Sequence, residues 1–186
     1  LLYQLQPIGL QSHLVPPAIL ESLREKNFDY LRLGDLRDGF SDAEPLLRHT
    51  TFLSFDLSAI RHAEARTGWM ANPGGLTTEE ACRISHYAGL GSGIKAFGIF
   101  EVNPEKETGI HNCNLTAQII WYFLDALAHR VPADPAGDPG GFNRFFAAVS
   151  GHELVFFQQP STDRWWMEVA MEGFETLIIP CREKDY

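Results

Sequence analysis

Basic side chains are in short supply: 15 Lys and Arg stand against 24 Asp and Glu, a net charge of -9. A surface that releases counterions from phosphates has to be basic somewhere. No Lys/Arg cluster interrupts the acidic balance, so nucleic acid is not an expected partner. Cysteine is scarce too. Cys82, Cys113 and Cys181 are widely spaced and odd in number, which suits free thiols in a reducing compartment rather than a disulfide framework; the expected location is cytoplasmic. Long apolar runs are missing as well, the longest being Ile119 to Leu124, whereas a membrane-spanning helix takes about 20 residues. The start of the chain lacks Met, and it lacks a charged segment leading into an apolar run and a cleavage site. It opens on Leu1-Leu2-Tyr3-Gln4-Leu5, a run that reads as strand already inside a domain, so a piece of something longer is expected.

What is there suits an ordinary folded domain. The chain has 186 residues, 45% of them hydrophobic and 21% charged, enough for a real core. Strand-like and helix-like segments alternate over the first two thirds. Tyr3 to Leu10 reads as a strand, and Pro17 opens a helix through about Lys26 in the first-turn position that proline tolerates. Phe28 to Leu33 alternates with period two and ends at Gly34. Ser41 to Arg48 reads as a short helix, with Ser41 and Glu44 spaced as a capping box. Thr51 to Asp56 is a third strand, followed by a long loop to Gly75. Thr77 and Glu80 form a second capping box for a helix reaching Gly89. Ile94 to Phe100 is a fourth strand, and Asn114 caps a helix to about Arg130. Strands separated by helices predict parallel βαβ units in an open α/β sheet.

The last of these helices is apolar on nearly every side, which predicts burial on more than one face, under the rest of the chain or against another subunit. Val131 to Gly141, rich in Pro, Gly and Asp, reads as a linker. Beyond it Glu153 to Gln158, Arg164 to Met171 and Thr176 to Pro180 predict a small antiparallel meander of three strands. The expected domains are 1–131 for the α/β part, 132–141 for the linker and 142–186 for the β extension. On an alternating strand, Trp165 and Trp166 should place one ring inside and one outside, the outer one either anchoring an interface or simply exposed, with the interface favoured.

In an open α/β sheet, ligands sit at the carboxyl ends of strands. Two carboxylates fall there, Asp56 and Glu101, and each could equally cap a loop or a neighbouring helix. His62 and Glu64 follow Asp56 closely enough for a local cluster, though they read more naturally as solvated loop residues. His111-Asn112-Cys113 has metal-ligating types but no second pair to complete a zinc site. Gly89-Leu90-Gly91-Ser92-Gly93 precedes a strand rather than opening a helix, which excludes the dinucleotide-binding geometry.

Several local sequences carry a resemblance. Ser54-Phe55-Asp56-Leu57-Ser58, followed by Asn72-Pro73-Gly74-Gly75-Leu76-Thr77, resembles the ureohydrolase segment Ser-Phe-Asp-x-Asp with its downstream Gly-Gly-Leu-Thr. Phe97 to Pro104 resembles the strand of that family that ends in Glu-x-Asn-Pro. Asn114-Leu115-Thr116-Ala117-Gln118 is similar to the start of the family's last helix, and Ile8-Gly9-Leu10 to the strand that opens its second half. The resemblance runs from about Tyr3 to Arg130 and points to the carboxy-terminal part of the arginase, agmatinase and formimidoylglutamase family. The closest branch is formimidoylglutamase-like, from Ala59-Ile60-Arg61, Tyr87-Ala88-Gly89-Leu90 and the extension bearing Arg164 to Val169.

That resemblance implies a pair of Mn²⁺ ions holding a bridging hydroxide that attacks the central carbon of a guanidino or formimino group. Oxygen-rich ligation with imidazole suits Mn²⁺, and two metals acidify and orient a shared water. Asp56 matches the first metal-binding aspartate, and Glu101 the carboxylate that receives the planar substrate cation. Ser58 stands where the family has its second aspartate, and the Gly-Gly-Asp-His-Ser and Asp-Ala-His-x-Asp motifs are absent. One matched ligand cannot hold two ions, so this chain alone is expected to be inactive. The expected partner is the amino-terminal remainder of the same protein or another subunit, in a homo-oligomer. The competing expectation is a non-catalytic relative, a pseudoenzyme kept for binding or assembly.

Overall fold

The structure is a computed structural model and describes residues 4–67, 72–103, 109–149, 152–170 and 176–186. Leu1 to Tyr3, Pro104 and Met171, which fall in expected strands and motifs, lie outside the described residues. The chain divides into two compact units, Leu1–Arg130 and Val131–Tyr186.

The first unit is α/β. Strand β1 (Ile8–Leu10) leads to α1 (Pro17–Glu25), which has proline in its first turn, and then to β2 (Leu31–Arg32), parallel to β1. Gly34 does not end a strand, because α2 (Leu33–Asp38) begins one residue before it. Leu33 and Leu36 are both buried there, so the apolar spacing outweighs the single glycine. Next comes α3 (Ala43–Arg48), whose N-cap is Asp42 with no side-chain cap. The expected capping box of Ser41 and Glu44 is absent for a physical reason. Glu44 turns along the helix instead and takes Arg48 in two bonds, Nε to Oε1 at 3.0 Å and Nη2 to Oε2 at 2.5 Å, neutralising a buried guanidinium.

Strand β3 (Phe52–Asp56), α4 (Thr78–Leu90) and β4 (Ala96–Phe100) form the unit's clearest βαβ segment. The strands pair in parallel from Phe52 opposite Ala96 to Asp56 opposite Phe100. Helix α4 opens on the predicted capping box: the Glu80 N–H donates to Thr77 Oγ1 at 3.1 Å, and the Thr77 N–H donates to Glu80 Oε2 at 2.8 Å. Helix α5 (Gly109–Ala128) packs on α4. It starts five residues before Asn114, which therefore lies within the helix instead of capping it. The core joins Leu36, Leu47, Phe55, Leu57, Ile60, Ile84, Leu115 and Ile119, with Leu53, Phe97 and Ile99 packed against them. Only one face of α5 is buried in the chain; Ile110, Trp121 and Leu124 are 80%, 59% and 53% exposed.

The second unit is a four-stranded antiparallel sheet in the order β5 (Asn143–Val149), β6 (His152–Gln159), β7 (Arg164–Val169) and β8 (Leu177–Cys181). One strand more than expected is present, because β5 follows directly on the Pro/Gly-rich stretch that obscures it. Trp165 and Trp166 do point to opposite faces, yet both are buried, at 5% and 1% exposed. Each face has its own cover. Trp165 stacks on Phe145 at 5.0 Å and on Tyr186 at 5.8 Å, while Trp166 meets the edge of Phe142 at 5.4 Å. The solvent-facing ring predicted from alternation does not exist.

Candidate functional site

Strand pairing brings the two candidate carboxylates to one end of one parallel pair. Asp56 is the last residue of β3 and lies opposite Phe100, the last residue of β4, with Glu101 next in the chain. This is the carboxyl edge, where open α/β sheets bind ligands. Both side chains are exposed, as is Ser58.

Asp56 closes a turn. Its Oδ1 accepts the backbone N–H of Ser58 at 2.8 Å, capping the short turn Leu57–Ala59. The donor is the main chain, so any residue at position 58 keeps this bond. After β4 the backbone bends sharply. Glu101 and Asn103 have φ of 61° and 36°, left-handed values that a non-glycine residue adopts at a cost and that concentrate at functional sites.

The loop after Asp56 is held by Glu64, His111 and Asn112, residue types that the sequence alone suggests are solvated or weakly metal-binding. Glu64 accepts the Thr78 N–H at 2.5 Å with one oxygen and pairs with Arg61 through the other. Burial works to raise its pKa, but the Thr78 bonds and the Arg61 charge outweigh burial and hold it below the ordinary value. Asn112, fully buried, clasps the Arg66 backbone on both sides, accepting from its N–H at 3.2 Å and donating to its carbonyl at 3.1 Å. His111 Nε2 meets the Glu64 carbonyl at 2.6 Å. His111-Asn112 is therefore a clamp on residues 64–66. No local motif marks such a clamp, because its partners lie 46 and 47 positions apart. Cys113 is exposed, and the ring nitrogen Nδ1 of His62 is buried without a hydrogen-bond partner among the described residues.

The Gly-Gly-Leu-Thr segment also has a geometric basis. Gly75 has φ of 122°, and a Cβ there would meet the Ala59 carbonyl at 2.7 Å and the Arg61 nitrogen at 2.8 Å. Only glycine lets Leu76 form its parallel bridge to Ile60. Arg37 finishes the corner by donating to the Gly75 carbonyl at 2.8 Å and to Glu80 at 2.8 Å.

As a metal site, the donor set does not fit a two-ion centre. Among the described residues no group of three or more His, Cys, Asp or Glu is gathered to hold an ion. Asp56 spends one oxygen on the turn, and position 58 offers a neutral hydroxyl. Nor, among the described residues, is any helix long and apolar enough to cross a membrane.

Comparison with solved structures gives a consistent picture. The crystal structure of Trypanosoma cruzi formiminoglutamase with Mn²⁺ superposes with a TM-score of 0.61 at 19% identity, covering 68% of this chain and 45% of that one. The chain has an arginase-like fold. Formimidoylglutamase from Bacillus subtilis matches at 0.60 and 16% identity, over 67% of this chain and 41% of that one. Entamoeba histolytica arginase, solved with L-ornithine, matches at 0.55 and 19% identity, over 64% and 42%. This arginase-like chain therefore spans less than half the length of each of those structures. No protein-family model matches the sequence, and no curated protein matches it either.

Proposed function

We propose that this chain is the carboxy-terminal part of a formimidoylglutamase-like protein of the ureohydrolase family, and that it hydrolyses nothing by itself. The observation that carries the reading is that Asp56 ends β3 opposite Phe100, with Glu101 next in the chain, at one carboxyl edge, each carboxylate inside the motif that resembles the family's. In the longer protein the activity would be hydrolysis of a linear amidine C–N bond at a two-Mn centre. Asp56 is then one metal carboxylate. Glu101 receives the planar amidinium, for which a carboxylate offers two parallel charge-assisted hydrogen bonds. Ser58 and the missing motifs account for the poor donor set, and no step is derived through the metals. That the domain is incomplete in this chain is supported by Phe52 and Phe100, exposed on a parallel pair of a kind ordinarily covered on both faces.

The test is metal content after dialysis, together with ammonia or urea release from guanidino and formimino substrates. It compares the wild type and Ser58→Asp, each alone and joined to an amino-terminal half that carries the missing ligands. Alone, both should give background activity and no stoichiometric Mn²⁺. Joined, Ser58→Asp should raise Mn²⁺ affinity and turnover, since aspartate adds a charge and can chelate. Two tightly held ions on the chain alone, or robust joined activity with Ser58 intact, would refute the reading. A second reading, a non-catalytic relative serving as a binding or assembly subunit, is favoured by Ser58 and by the exposed aromatic face of α5. It is the outcome if the joined Ser58→Asp protein stays inactive.

A further inference from the structure

We propose that the cleft between the end of α1 and the start of β2 binds a small zwitterion of amino-acid type, its carboxylate on Arg24 and its ammonium on Asp29. The cleft has a volume of about 330 Å³ and is lined by Arg24, Asn27, Phe28, Asp29 and Tyr30. Small-molecule sites run from roughly 300 to 1,000 Å³, so this one suits a ligand of few atoms. It lies at the amino end of β2, whereas Asp56 and Glu101 lie at the carboxyl ends of β3 and β4. Nothing in it rests on the hydrolase reading.

The way α1 ends fixes the walls. Asn27 takes the left-handed conformation, with φ of 52°, which asparagine tolerates better than most side chains. The Phe28 N–H donates to the Leu23 carbonyl at 2.8 Å and the Asn27 N–H to the Arg24 carbonyl at 3.0 Å, the two bonds that stop a helix on a left-handed residue. The Leu31 N–H then donates to the Pro7 carbonyl at 2.8 Å, just before β1. The lining residues thus sit on backbone tied at both ends, and a preformed site loses little freedom on binding.

Arg24 and Asp29 bring opposite charges to one cleft and do not meet. Among the described residues neither forms an ion pair, with the other or with a third side chain. A cleft that keeps a cation and an anion apart is complementary to a molecule carrying both. Tyr30 marks the anionic end. The Arg24 guanidinium, aided by Arg32 against the opposing effect of desolvation, holds its hydroxyl below the ordinary phenol range. A carboxylate there meets a guanidinium with parallel donors, while Asp29 accepts from the ammonium and the Phe28 and Tyr30 rings flank the apolar part. A plain anion gains nothing from Asp29, and a plain cation is repelled by Arg24.

Calorimetric titration of the 186-residue chain with leucine, phenylalanine and glycine tests this. N-acetyl-leucine, which lacks the ammonium, and leucinamide, which lacks the carboxylate, serve beside them. Leucine and phenylalanine should saturate one site, and glycine should bind more weakly. Each half-charged analogue should bind at least about tenfold more weakly than leucine, as loss of a charge-assisted hydrogen bond does. Arg24→Gln and Asp29→Asn should each weaken leucine by a similar factor. Both side chains are exposed, so unchanged circular dichroism separates lost binding from misfolding. In ring-proton NMR spectra leucine should move the Tyr30 signals, which Tyr30→Phe identifies. Absence of saturable binding by all three amino acids overturns the proposal. So does an analogue that binds as well as leucine, indifference to either charge variant, or leucine binding that leaves the Tyr30 signals in place.

Discussion

Gly89 in α4 sits against the main chain of Phe123 in α5, so closely that a Cβ on it would lie 2.4 Å from the Phe123 carbonyl oxygen and 2.8 Å from the Ala126 Cβ. Neither neighbour is the loose end of a flexible side chain. Gly89→Ala should therefore push the helices apart and cost about 1–3 kcal/mol, as overpacking does, despite the better helix propensity of alanine. Gly34, in α2, has nothing within 4 Å of its Cβ position. Gly34→Ala should stabilise by about 0.4–1 kcal/mol. Urea denaturation of the two variants checks both signs, and a neutral Gly89→Ala would show the α4–α5 crossing to be looser than described.

The Asn112 clamp predicts a local effect. Asn112→Ala removes two part-buried hydrogen bonds to the Arg66 backbone, at a cost of about 1–3 kcal/mol. Hydrogen exchange at the Arg66 amide should accelerate well beyond that in β3. Asn112→Asp should be at least as damaging, since it keeps the acceptor but sets a buried carboxylate against the Arg66 carbonyl.

Acid should loosen the same corner. In Glu80, as in Glu64, burial raises the pKa, but its partners outweigh burial, here the Arg37 guanidinium and the Thr77 N–H, and the folded value is depressed. A depressed carboxylate contributes stability that is present above its unfolded pKa, about 4.3, and lost as pH falls through the folded value. Urea midpoints should stay level from neutral pH to about 5 and then fall. In Glu80→Gln the fall should be shallower from a lower plateau. An identical pH profile would mean that the Arg37–Glu80 pair contributes nothing.

Thiol chemistry should separate the three cysteines. Burial, helped by Glu79, pushes the Cys82 thiol up to about 11, and Cys181 is buried. Cys113 is exposed. At neutral pH a disulfide reagent should titrate one thiol quickly, and Cys113→Ser should abolish that fast phase. The other two should react only as fast as the fold opens.

Much of this architecture is legible in local spacing. The Thr77–Glu80 capping box, the apolar runs ending at Asp56 and Phe100, and the sheet edge they share all follow from residues a few positions apart. The failures have long-range causes. The Glu44 side chain served Arg48 instead of a helix start, and α5 began upstream of the asparagine that resembled its cap. Alternation predicted one outward tryptophan because it presumes a wet face, and this sheet has none at β7. The anchoring of the loop after Asp56 was out of reach, since nothing in Glu64 or Asn112 advertises a partner so far along the chain.

The two borders of the last sheet are chemically unlike. Along β8, Pro180 has no N–H to offer, which blunts that side against further pairing. Along β5, the run Phe145-Phe146-Ala147-Ala148-Val149 carries neither charge nor proline, and Phe146 and Val149 are exposed. A border of that kind is a template onto which an extended chain can add, the route by which sheets grow into aggregates. Added pairing along this sheet is therefore expected on the β5 side, and Ala148→Lys would be the smallest change that closes it.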